Sequence, residues 1–165
     1  MSLIGLLLLL LFGLVAGTSS GSSSSSGSAT AVAKGTAVVI CQASQLHASL
    51  LLQGAAGSRE GVLVIRNRGP RCAVAGPLRF HVVAKKQAPL KQHGAPPLQS
   101  ISVPRGAAVD APLRWSNWCG GAVKGLSIHL PVVNQKLFAA YTEAPPCNGP
   151  GFPSTIETKA FTHRK

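Results

Sequence analysis

Apolar and polar residues alternate with a period of two over much of the chain beyond residue 45. Leu46, Ala48, Leu50 and Leu52 would share one face of a strand, with His47, Ser49 and Gln53 on the other. Residues 61–65 (GVLVI) form a short, continuous apolar run, the pattern of a strand covered on both sides. Leu78, Phe80, Val82 and Ala84 alternate with Arg79, His81 and Lys85. Ile101 and Val103 precede a Pro104-Arg105-Gly106 turn, after which Val109, Ala111, Leu113 and Trp115 share a face. Pro112 interrupts that last run, which predicts an edge strand or a bulge. Leu126, Ile128 and Leu130 alternate with Ser127 and His129, then Leu137, Ala139 and Tyr141 follow, and residues 156–161 predict a final strand. Turn chemistry separates the runs, at Asn67-Arg68-Gly69-Pro70, Gly94-Ala95-Pro96-Pro97, Gly120-Gly121, Pro145-Pro146 and Asn148-Gly149-Pro150. No segment in this region keeps a helical period over a dozen residues. Seven or eight short strands at this spacing predict an all-β, antiparallel sandwich.

The chain before the strands has a different character. Residues 3–17 (LIGLLLLLLFGLVAG) are apolar throughout, shorter than the about 20 residues that a spanning helix needs. They match the hydrophobic core of an export signal, and Val15-Ala16-Gly17 offers small residues for cleavage before Thr18. No Lys or Arg precedes the run, so either the start lies upstream or the signal persists as an anchor. Residues 18–38 open with a Ser/Gly tract too poor in apolar surface to offset chain entropy, which predicts a flexible spacer. Residues 39–165 are left as one β-sandwich domain.

Export changes how the cysteines are read. Cys41, Cys72, Cys119 and Cys147 are four in number and widely spaced, which in an exported chain predicts two disulfides. No C-x-x-C spacing supports a zinc ribbon or a thioredoxin-type site. Three pairings are possible; Cys41–Cys72 with Cys119–Cys147 is favoured because it closes two separate loops.

Charge narrows the partners. Sixteen Lys+Arg stand against four Asp+Glu, a formal net charge of +12, and every charged residue lies at or after Lys34. Such a surface attracts polyanions. Nucleic acid is not expected, since export removes the chain from it and aromatics for base stacking are only 5% of residues. Arg66, Arg68 and Arg71 surround one turn, and Lys85, Lys86 and Lys91 another. If those loops met at one end of the sandwich they would form a basic rim. Arg66, Arg68, Arg71, Lys85 and Lys86 are therefore the candidate anion-binding residues. The plainer reading is scattered, solvated charge.

The ordered motifs resemble a family of exported actinobacterial-type proteins and lipoproteins of unknown function, DUF4232. The similarity is carried by Cys41-Gln42-Ala43-Ser44-Gln45-Leu46, the Gly54-Ala55-Ala56-Gly57 turn, Asn67, and Cys72-Ala73-Val74-Ala75-Gly76-Pro77. It continues through Val103-Pro104-Arg105-Gly106-Ala107-Ala108, Leu113-Arg114-Trp115, Cys119, Leu130-Pro131 and Cys147, spanning residues 39–152. The resemblance implies an immunoglobulin-like sandwich at the cell surface and brings no functional residues with it. Many members carry a lipid-attachment cysteine after the signal; here no cysteine precedes Cys41, so secretion or retention by the uncleaved signal is expected instead.

Catalytic chemistry finds little support. The acids are Glu60, Asp110, Glu143 and Glu157. Glu60 beside Arg59, and Asp110 between Arg105 and Arg114, read as salt-bridge partners rather than a hydrolytic pair. None of His47, His81, His93, His129 and His163 forms an H-x-H or H-x-x-x-H pair, and the single Met is residue 1, so no metal site or cofactor is expected. His47, His81 and His129 fall on polar strand faces, where solvation is the ordinary explanation. No Ser has a G-x-S-x-G context. Trp115 and Trp118 lie just before Cys119, where one would pack on a disulfide in the core, or Trp118 would be exposed in a ligand site. The expectation is a non-catalytic exported module meeting anionic envelope polymer or a membrane surface. Its rivals are a module for an envelope protein partner and a secreted hydrolase using Asp110 or Glu143.

Overall fold

A computed structural model describes residues 38–93 and 99–165, within a compact unit Thr36–Lys165. The signal and nearly all of the spacer lie outside the described residues, as does the Gly94-Ala95-Pro96-Pro97 turn. A 3-10 turn, Ala43–Gln45, leads into β1 (Leu46–Ala55), β2 (Ser58–Asn67), β3 (Cys72–Ala75), β4 (Arg79–Ala84) and β5 (Leu90–His93). Then come β6 (Ser100–Val103), β7 (Ala108–Ser116), β8 (Val123–Leu130), β9 (Gln135–Ala140), β10 (Ser154–Thr158) and β11 (Thr162–His163). The larger sheet runs β1-β2-β7-β10-β5, with β11 also on β7; the smaller is β4-β8-β9, and β3 pairs with β6 and, through Ala73, with an isolated bridge at Ile40. In the β1–β2 hairpin Ala55 faces Ser58 at one end, near Gly57, and Leu46 faces Asn67 at the other. These are the Gly57 end and the Asn67 end of the sandwich.

The period-two positions make the core. Leu46, Ala48 and Leu50 of β1, Val109, Ala111, Leu113 and Trp115 of β7, and Leu126, Ile128 and Leu130 of β8 are all buried. Each buried aliphatic side chain contributes about 1.5–3 kcal/mol of transfer free energy. Trp115 and Trp118 meet edge to face, ring centroids 5.7 Å apart, and both are buried. Trp118 is thus part of the core and is not exposed in a ligand site. Each indole is satisfied: Trp115 Nε1 donates to Ser154 Oγ and Trp118 Nε1 to the Gly121 carbonyl.

Three departures from the sequence expectation have physical causes. Among the described residues there are eleven strands rather than seven or eight. β3 (CAVA) is buried at every position and so shows no alternation, while β5 (LKQH) is almost wholly polar. The sandwich is also not wholly antiparallel, because β5 pairs in parallel with β10. Finally, β7 is neither an edge nor bulged: it lies between β2 on one side and β10 and β11 on the other. Pro112 is tolerated because β10 reaches only Leu113 and β11 begins at Asp110. The Pro112 carbonyl accepts from Lys159 N at 3.0 Å, so its nitrogen faces the same gap, where the missing N–H breaks no ladder bond.

Both disulfides form in the favoured pairing. Cys41–Cys72 (Cα–Cα 5.0 Å) ties the segment before β1 to β3, and Cys119–Cys147 (Cα–Cα 4.7 Å) ties the end of β7 to the long segment before β10. That segment is held further by Asn117, whose Oδ1 accepts from Asn148 N and whose Nδ2 donates to the Phe152 carbonyl. Bridges of this kind belong to an oxidising environment, and no helix among the described residues is long and apolar enough to cross a membrane.

The loops closed span 31 and 28 residues, for which chain entropy gives roughly 3–4 kcal/mol each. Full reduction is expected to lower the melting temperature by about 10 °C or more; an unchanged melting curve would refute this. Cys41 and Cys72 are buried whereas Cys147 is exposed. Mild reductant should therefore open Cys119–Cys147 first, as read by alkylation and peptide mass.

Candidate functional site

Five arginines and a lysine converge on the Asn67 end. Arg66 is the penultimate residue of β2, opposite His47 on one side and Ala108 on the other. Its Nη1 donates to the Gly106 carbonyl at 2.6 Å, which brings the β6–β7 turn alongside. In that turn Ala107 N donates to the Pro104 carbonyl and Gly106 has φ 79°. A type II turn needs glycine at its third position for this reason, and it leaves Arg105 exposed at its second. Arg68 and Arg71 occupy the turn from β2 to β3, and both are exposed. Arg164 follows β11, its backbone N donating to the Ala108 carbonyl at 3.1 Å, and Lys165 is next in the chain.

Asn67 organises this end. It is 0% exposed, and its Nδ2 donates to the carbonyls of Pro70 (2.7 Å) and Val103 (2.9 Å). Its Oδ1 accepts from Gly69 N (2.9 Å), an Asx turn. One side chain thus pins both the turn carrying Arg68 and Arg71 and the strand end leading to Arg105. Sequence reasoning placed Asn67 only in a turn and at a strand end. The Asn-x-Gly spacing was the available signal, and its long-range bond to Val103 left none.

Charge compensation at this end is slight. Asp110 lies one register step inside it, 3.5 Å from Arg164 Nη1. The other acids lie elsewhere: Glu143 against Arg59 at 3.7 Å, near the Gly57 end, and Glu60 against Arg114 at 3.1 Å. Arg114 therefore pairs with its cross-strand neighbour Glu60, not with Asp110 four residues along its own strand, which is about 13 Å away. Asp110 and Glu143 are likewise on different arginines at opposite ends and do not form a carboxylate pair.

The single rim of five candidate residues does not occur. Lys85 and Lys86 follow β4, which runs from the Asn67 end toward the Gly57 end. Lys85 N bonds to the Ala122 carbonyl there, and Gly121 N to the Lys86 carbonyl. The fold gathers Arg66, Arg68 and Arg71 with Arg105, Arg164 and Lys165, and leaves Lys85 and Lys86 at the end of β4, against Gly121 and Ala122. Lys91 sits on β5 opposite Thr155, away from the arginine end.

The outer face of the larger sheet is organised differently. Glu60, Arg114, Glu157 and His93 stand in one cross-strand row over β2, β7, β10 and β5 and line a groove of about 560 Å³. Signs alternate there, so the row stabilises the sheet and leaves little net field for a ligand. Among the described residues no group of three or more His, Cys, Asp or Glu stands where it could hold a metal ion. No known family model, curated protein or solved structure matches the chain.

At the Gly57 end, burial pushes the Tyr141 phenol above its ordinary value, against the opposing effect of the nearby Arg59 guanidinium and with Glu143 adding to the rise. Tyr141 is the single tyrosine, so its ultraviolet titration should show a midpoint above that of the unfolded chain. Its contribution to stability is complete below the unfolded phenol value and lost as pH rises through the folded one. A native midpoint at or below the unfolded one would contradict the burial. At the other end, Asn67→Ala strands two carbonyls and an N–H, and urea unfolding is expected to show a loss of about 2–3 kcal/mol.

Proposed function

We propose that the domain is an exported, non-catalytic module of the cell envelope that binds anionic polymer or lipid headgroups through its arginine end. The observation that carries the reading is the convergence of Arg66, Arg68, Arg71, Arg105, Arg164 and Lys165, from three chain segments, on one end where Asp110 is the nearby acid. Exposed charges of one sign within about a Debye length of each other add their fields, which favours an extended polyanion over a small molecule. Guanidinium groups suit phosphate and carboxylate oxygens in particular, because their fork geometry matches two acceptors at once. The two disulfides and the apolar leader of residues 3–17 support an envelope or extracellular location. Membership in the family that the motifs resemble, DUF4232, belongs to the same proposal.

Binding to anionic vesicles or to wall polymer should weaken steeply with added salt. Replacing Arg66, Arg68 and Arg71 together by alanine is expected to weaken binding by about tenfold to a hundredfold, at about 1 kcal/mol or somewhat less per charge. Replacing Lys85 and Lys86, at the far end, should change it by less than about threefold. Binding that persists undiminished in high salt, together with capture of one defined envelope protein, would replace this reading with a protein-partner module. Equal losses in the two variants would show that net charge, and not the arginine end, is responsible.

A further inference from the structure

The outer face of β4-β8-β9 carries a second cationic feature. In the register of these strands Arg79 faces His129, and His129 faces Lys136. The three side chains form one row across three adjacent strands, about 10 Å from end to end. His81 stands one step along β4, opposite Ser127 and diagonal to His129. Together they line a groove of about 500 Å³, floored by Phe80 and Gln92.

The polar groups there divide into used and free. The Gln92 amide is consumed by the backbone of Phe80, donating to its carbonyl at 2.9 Å and accepting from its N at 3.2 Å. Asn134, held at φ 50° in the β8–β9 turn, sets its Oδ1 3.1 Å from His129 Nε2. That contact orients the imidazole and leaves Nδ1 for another partner. Arg79 and Lys136 have no ion-pair partner among the described residues. No Asp or Glu occurs in β4, β5, β8, β9 or the 131–134 turn, the elements that border the groove.

Like charges directly opposite on neighbouring strands destabilise a sheet. On the larger sheet the corresponding row alternates in sign. Here a cation, an imidazole and a cation stand side by side with nothing to compensate them. An anion placed over His129 would meet all three, with His81 and the Ser127 hydroxyl on its flank. The row is short and the donors point together, which fits a compact tetrahedral group better than an extended chain.

We propose that the outer face of the small sheet is a site for one tetrahedral oxyanion, a phosphate or sulfate group, held by Arg79, His81, His129 and Lys136. The titratable groups facing the two histidines are Arg79 on β4 and Lys136 on β9, both cations; β8, β5 and the turn contribute only Ser127, Gln92 and Asn134. The site differs from the arginine end: all of its charges lie on one sheet face, and its ligand is a single group.

Sulfate keeps a constant charge across the relevant range and is the first probe, followed by proton NMR of the five histidine rings in the full chain. The His81 and His129 resonances should shift saturably while those of His47 and His163 stay still. R79A/K136A, both exposed positions, should bind about tenfold or more weakly with an unchanged melting temperature. H81Q/H129Q should bind sulfate more weakly than the parent chain. The R66A/R68A/R71A variant should respond as the parent chain does, which separates this site from the arginine end. Equal shifts at all five histidines, or full binding by R79A/K136A, would overturn the proposal. Inorganic phosphate and phosphatidic acid vesicles then identify the source. Response to free phosphate assigns a soluble or polymer phosphate, and response to the vesicles alone assigns a lipid headgroup. Response to none of the three probes would refute the site.

Discussion

A sandwich of two open sheets has four edges, and every edge exposes backbone donors and acceptors that invite another strand. In this protein the edges face one another in pairs, and side-chain amides close them. Between β5 and β4, Gln92 bonds to both the N–H and the carbonyl of Phe80, the pairing that a neighbouring strand would make. Beside β1 and β9, Gln135 accepts from Ala43 N and donates to Gln42, while Gln45 accepts from Gln42 N. Farther along, the Tyr141 hydroxyl reaches the Leu52 carbonyl. The sheets are thus joined at both margins without a continuous ladder, and the apolar layer between them is kept from water.

The Asn67 end depends on that closure. With the margins tied, the loops at this end are brought together, and a single buried amide can organise several of them. Asn67 does so by bonding to the turn that follows it and to the end of β6. The arginines around it come from turns and a strand terminus, positions where long side chains project without disturbing the core. Their mutual repulsion is tolerable because they are exposed and screened. A structural core and a charged surface therefore share one residue.

Charge is distributed by surface, not spread evenly. The outer face of the large sheet alternates acid and base across its strands, one end carries arginines with Asp110 beside them, and the small sheet's outer face has cations and imidazoles with no acid in the bordering elements. These three arrangements differ in what they can attract. The alternating row is self-satisfied, the arginine end suits an extended polyanion, and the small-sheet groove suits a single tetrahedral group.

Much of the fold was legible in the residues themselves, because burial of one sheet face imposes a period of two. Val109, Ala111, Leu113 and Trp115, or Leu126, Ile128 and Leu130, could be assigned to a core without any knowledge of their partners. The cysteine pairing was also favoured on loop size. β3 and β5 were not legible, since one is buried on both faces and the other is nearly all polar, so neither alternates. Pro112 misled because its tolerance depends on where β10 ends and β11 begins. The site was legible only in part. Arg66, Arg68 and Arg71 are neighbours in the chain and remain neighbours in space, whereas Lys85 and Lys86 were separated from them by the direction of β4. Arg105 and Arg164 joined them through strand pairing between residues some forty to sixty positions apart. Local composition determined which segments became strands and which residues were charged. Register and strand direction, which depend on contacts distant in sequence, decided which charges meet.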